Sequence, residues 1–131
     1  MRRKSSIEGL PCNIAHALQA IGDEWSWLIV RDVLRGKHRF DEFQKSLPIA
    51  PAVLTNRLRS LVEAGILERR RYSAHQSRFS YELTERGRQL EVIIVALDRW
   101  GHEHAQAEDE LPLLAFPSQQ ARDVARDWFA A

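Results

Sequence analysis

A chain of 131 residues, 44% hydrophobic and 28% charged, has the size and make-up of one ordinary globular domain, and no stretch approaches the ~20 apolar residues of a membrane-spanning helix. Its single cysteine, Cys12, rules out an internal disulfide and a paired-thiol metal site, which fits a reducing compartment. The formal net charge of +1 hides an uneven distribution: residues 35–88 hold 12 Lys and Arg against 6 Asp and Glu, whereas residues 105–131 carry a net −3.

Met1, Arg2, Arg3 and Lys4 are followed by no apolar signal core, so residues 1–10 are expected to be a flexible basic arm on a cytoplasmic protein. Pro11, Cys12 and Asn13 open a helix in which Ile14, Ala17, Leu18 and Ile21 recur at helical spacing and Gly22 ends the pattern. Trp25, Leu28, Ile29, Val33 and Leu34 mark a second amphipathic helix, stopped by Gly36. Phe40, Phe43 and Leu47 mark a third, ended by Pro48. Pro51 suits the first turn of a fourth, which carries Leu54, Leu58, Leu61 and Val62 to about Ala64, with Gly65 as its cap.

Two strands follow, Ile66–Tyr72 and Phe79–Leu83, separated by a short polar break. Phe79, Tyr81 and Leu83 alternate and are predicted to line a buried face. Thr84 is placed to cap one long helix with Leu90, Ile93, Ile94, Leu97, Trp100 and Gly101 along its apolar side. Pro112 and Pro117 interrupt the chain, and Ala121, Val124, Ala125, Trp128 and Phe129 outline a short amphipathic tail helix. The fold class is thus mainly α with a small β-hairpin. Two short helices followed by a basic-tipped hairpin read as a winged helix-turn-helix, an arrangement that brings a helix to the major groove of DNA and a hairpin beside it.

Stepping ~100° per residue from Leu54 puts Ala52, Asn56 and Arg59 on the far side of the fourth helix, with Thr55 at its flank. Asn pairs with adenine, Arg with guanine or phosphate, and Pro51 and Ala52 offer apolar contact to a thymine methyl. Arg57 falls nearer the buried side, a structural or phosphate-directed position rather than a base reader. In the wing, alternation gives Arg69 and Arg71 one face and Arg70 the other, with His75 and Arg78 at the tip, suited to phosphate or the minor groove. The plainer reading of the same charges is protection of a strand edge. Arg39 is a candidate phosphate contact.

Catalysis finds little footing. There is no glycine-rich phosphate loop and no nucleophile elbow, and Cys12, His16 and Asp23 are close only in sequence, whereas nucleophile sets are defined by geometry. His102 and His104 diverge on a helix and suit its C-terminal dipole better than a metal. No enzyme, cofactor or metal is therefore expected.

The ordered series of motifs resembles the HxlR-type winged-helix regulators, relatives in architecture of the MarR type. It begins with Cys12, Ile14, Ala15, Ala17 and Leu18, then Ile21, Gly22 and Trp25, then Leu28, Ile29, Arg31 and Asp32. Gly36, the run Arg39 to Phe43, and Val53, Leu54, Thr55, Arg57 and Leu58 continue it. Gly65 to Arg69, then Tyr81, Leu83, Thr84, Glu85 and Gly87, and finally Ala96, Leu97, Trp100 and Gly101 complete it.

The resemblance covers about residues 11–105 and leaves 106–131 as an extension. It implies N- and C-terminal dimerisation helices, with Ile14, Leu18, Leu90, Ile94, Leu97 and Trp100 at the interface. It also implies a homodimer on double-stranded DNA at a pseudo-palindromic operator, usually as a repressor, and a thiol-sensor role for the residue matching Cys12 in some members. The chain departs from relatives at Pro51 and Ala52, where they often carry polar residues, and at His75, Gln76 and Ser77, where they often carry wing prolines. Alternatives are a small-molecule-switched regulator with Trp27 and His16 lining a pocket, and a winged helix used to bind protein. The acidic tail is expected to dock back on the dimer.

Overall fold

The computed structural model describes residues 7–73 and 78–104, with positions 119, 123 and 126. Most of the basic arm, His75 at the wing tip and the tail helix lie outside the described residues. In chain order the elements are α1 (Asn13–Ile21), α2 (Glu24–Leu34), α3 (Phe40–Ser46), α4 (Pro51–Glu63), β1 (Leu67–Ser73), β2 (Arg78–Leu83), α5 (Glu85–Arg88) and α6 (Glu91–His104).

Local chemistry sets most boundaries. Asp23 caps α2, its carboxylate accepting from Ser26 N–H at 2.9 Å and Ser26 Oγ at 2.6 Å. The start of α3 is held by Glu42, which accepts from the N–H groups of Arg39 (3.1 Å) and His38 (3.3 Å). Pro51 opens α4, where its missing N–H costs nothing. At the other end Gly65 takes φ +76°, and the N–H groups of Gly65 and Ile66 return to the carbonyls of Val62 (3.0 Å) and Leu61 (2.9 Å). That pair of bonds closes α4 and turns the chain directly into β1.

The core gathers one face of each helix. Ile29 and Val30 of α2, Phe43 of α3 and Leu54, Leu58 and Leu61 of α4 are buried together with Ile66, Leu67 and Leu83 from the base of the hairpin. Trp25 and Trp27 pack on the edge of this cluster. The hairpin pairs Leu67 with Leu83, Arg69 with Tyr81 and Arg71 with Phe79, with an irregularity between Arg71 and Ser73. Tyr81 N–H donates to His38 O at 2.7 Å and Arg39 bridges to Ser80, so the segment before α3 fastens the hairpin to the helical part.

Two expectations need correction. Only Leu83 of the alternating β2 face is in the core; Tyr81 and Phe79 are half-buried, because the hairpin runs past the helices that would cover them. The predicted long C-terminal helix is two helices. Thr84 caps α5, accepting from Gly87 N–H at 3.0 Å while its hydroxyl donates to Gly65 O at 2.5 Å. Gly87 lies so close to the residue just before β1 that a Cβ would stand 2.2 Å from Ile66 O. Leu90 N–H then bonds to Gly87 O (3.0 Å), a tightened turn, before α6 restarts with Ile94 N–H to Leu90 O (2.9 Å).

Candidate nucleic-acid interface

Burial of Leu54, Leu58 and Leu61 fixes the rotation of α4, and with it the outward set. Pro51, Ala52, Thr55, Asn56 and Arg59 are all exposed, as the wheel predicts. The Thr55 hydroxyl donates to Pro51 O at 2.9 Å, so Thr55 presents an acceptor oxygen and a methyl group rather than a free donor. Arg57 is half-buried and its Nε stands 3.3 Å from Asp23 Oδ2. The same carboxylate caps α2, so Arg57 ties α4 to the start of α2.

The wing is cationic and ordered by stacking. Arg69 Cζ sits 4.1 Å from the Phe79 ring centroid and Arg71 Cζ 5.7 Å from it, while Arg39 Cζ lies 4.5 Å from the Tyr72 centroid. Arg–aromatic stacking holds the guanidinium planes without consuming their hydrogen-bond donors. Arg70, on the opposite face, pairs with Glu68. Arg78 is exposed at the start of β2. Tyr72 and Phe79, which carry these guanidinium contacts, are positions that sequence reasoning did not single out for the site. Alternation within each strand left the cross-strand register open, and the Arg39–Tyr72 contact joins segments far apart in the chain.

Helix and wing are continuous. Thr55, Arg59 and Glu63 of α4 share one recess of about 330 Å³ with Arg69 and Tyr81 of the hairpin. Asn56 and Arg59 also border a second recess with His16 of α1. His16 therefore sits beside the exposed face of α4 and not with Trp27.

The apolar residues assigned to an interface between copies divide. Ile14 (71% exposed) and Leu18 (44%) project from α1, and Leu97 (50%) and Trp100 (56%) from α6. Ile94, at 5%, faces inward instead, and Leu90 is half-buried against the core; the outward position belongs to Ile93, at 46%. Ile93, Leu97 and Trp100 form the outward stripe of α6 and Ile94 and Val95 the inward one. Cys12 is exposed at the N-cap of α1.

Comparison with known proteins agrees with this geometry. The profile of the HxlR-like helix-turn-helix family matches residues 20–109. An HTH-type transcriptional regulator of Mycobacterium tuberculosis strain H37Rv is 38% identical over 101 residues, covering 77% of this chain and 64% of that protein, so the chain spans less than two thirds of this relative's length. YdeP of Bacillus subtilis, also an HTH-type transcriptional regulator, is 35% identical over 101 residues, covering 76% of this chain and 79% of its own. Among solved structures, PA1607, a candidate transcription factor, superposes with a TM-score of 0.72 at 43% identity, covering 82% of this chain and 75% of that one. The redox regulator HypR in its reduced form gives 0.66 at 34% identity, covering 70% and 92%.

Proposed function

The chain belongs to the HxlR-like helix-turn-helix family, and we propose that it is a sequence-specific DNA-binding transcriptional regulator. In this reading it acts in the cytoplasm as a homodimeric repressor at a pseudo-palindromic operator. The observation that carries the reading is the unbroken surface from Asn56 and Arg59 on α4 to Arg69 on the hairpin. The outward face of α4 enters the major groove, where Asn56 and Arg59 supply hydrogen bonds to base edges and Pro51, Ala52 and the Thr55 methyl supply apolar contact. Arg39, Arg71, Arg78 and His75 bind phosphate or the flanking minor groove. The outward stripe of α6, with Ile14 and Leu18 of α1, joins two protomers so that their recognition helices meet half-sites one helical turn apart, roughly 34–36 Å. Repression follows if the occupied operator excludes polymerase.

The test is fluorescence polarisation with genomic duplex fragments at two salt concentrations, followed by sequencing of the fragments retained. The expected result is salt-dependent binding and a two-fold symmetric consensus. No binding to any duplex at low salt would overturn the reading and favour a protein-binding winged helix.

A second reading, DNA binding switched by thiol chemistry, is favoured by the exposed position of Cys12 on the helix that carries Ile14 and Leu18. HypR, to which this chain is similar, is a redox regulator. Mild peroxide is expected to change the operator affinity of the native chain and not that of Cys12→Ser; an equal response in both would remove this reading.

A further inference from the structure

Between α2, β2, α5 and the start of α6 lies a cavity of about 550 Å³, within the size range of small-ligand sites and away from the α4–wing surface. Part of its wall is apolar, from Val33, Leu83 and Val92. The rest carries three carboxylates, Glu82, Glu85 and Glu91, against one guanidinium, Arg88.

Glu91 is the informative member. It is only 6% exposed, yet its carboxylate makes no hydrogen bond or ion pair among the described residues. A negative side chain in the first turn of α6 suits the helix dipole, and the carboxylate, not enclosed from solvent, lines the cavity. His38 also lines the cavity: its Nδ1 lies 3.1 Å from Tyr81 O and 3.5 Å from Glu82 Oε2, and a carbonyl oxygen can only accept, so Nδ1 carries a proton.

We propose that this cavity binds a small organic cation with an apolar body, an amine or amidine whose charged head pairs with Glu91. Burial strengthens such a charge-assisted contact, and the excess of carboxylates over Arg88 excludes anions of the same shape. Binding here does not depend on the DNA-binding reading. The occupant would touch both β2 of the wing and the first turn of α6, and so is placed to link the two.

The experiment uses the full chain and a set of near-isosteric probes: benzamidine, neutral benzamide and anionic benzoate. Calorimetry is expected to give benzamidine an affinity at least about tenfold above benzamide, with benzoate not binding. Methyl chemical shifts of Val33, Leu83 and Val92 should move on titration. Glu91→Gln, and separately Glu82→Gln in case the first variant folds poorly, should reduce benzamidine binding towards the benzamide level and leave benzamide binding unchanged. The proposal is overturned if benzamide or benzoate binds as well as benzamidine, or if no probe binds at millimolar concentration. It is equally overturned if the shifts fall elsewhere, or if the folded Glu→Gln variants keep full benzamidine affinity.

Discussion

Arg57 and Arg59 are two positions apart on α4 and stand in different surroundings, one paired with Asp23 and the other exposed. The exposed Arg59 guanidinium has the reach and bidentate shape for guanine, so Arg59→Ala is expected to lower affinity for the selected operator by about 1–3 kcal/mol and to relax preference at one base pair of each half-site. Competition binding with single-base operator variants reads both effects. Arg57→Ala should leave base preference untouched. Its pair with Asp23 is about one-third exposed on each side (34% and 31%), so solvent screening limits the loss of stability to roughly 0–1 kcal/mol in a denaturant melt. Arg78→Glu, on the wing, should weaken binding to all duplexes alike and flatten the salt dependence by about one phosphate contact or more. The helical wheel made the first distinction legible, because a single buried leucine fixes the phase of the whole helix. It could not reveal that the Thr55 hydroxyl is already engaged with Pro51 O, since that depends on the side-chain rotamer.

The helices and strands were legible wherever the cause of a boundary lies within a few residues of it. Pro51, Gly65 and Thr84 begin or end elements through chemistry local to the boundary, and the expected limits fall close to those seen. The break between α5 and α6 was not legible, because its cause is a contact across the chain. Thr84 and Gly87 dock α5 on residues 65–66, and the apolar spacing around Leu90 looks the same whether or not the helix is interrupted. Phe79 was misjudged for a related reason: alternation identifies a face but not where the covering helices stop. The α5 docking makes a sharp contrast between two glycines. Gly87→Ala must displace the Ile66 carbonyl and is expected to destabilise the protein by about 1–3 kcal/mol. Gly101→Ala meets nothing within 4 Å inside α6 and should be neutral or stabilise by up to ~1 kcal/mol. Thermal or urea unfolding of the two variants side by side reads the difference, and equal effects would mean that α5 is not held against residues 65–66 in this way.

For the whole molecule, the decisive question is what covers the outward stripe of α6. Ile93, Leu97 and Trp100 leave apolar surface in water on one protomer, and such surface beside Ile14 and Leu18 of α1 is of the kind that marks association between chains. A two-fold axis there would use the same residues from both copies. Trp100→Asp and Leu97→Asp should therefore give a folded monomer: neither side chain belongs to the core, so far-UV circular dichroism and the unfolding transition should persist while sedimentation shows half the mass. Ile94→Asp, one residue from the outward stripe, should instead unfold the protomer, because it places a charge among buried Leu and Val side chains. The monomeric variants then isolate the contribution of pairing to DNA recognition. Two linked recognition helices bind the second half-site at high effective concentration, so their separation should cost on the order of 10²–10⁴ in operator affinity while Asn56, Arg59 and the wing arginines remain intact. Half-site binding by the monomer should keep the same base preference. A Trp100→Asp protein that still sediments as a dimer, or that keeps full operator affinity as a monomer, would remove α6 from the assembly and require the two recognition helices to be joined by another surface.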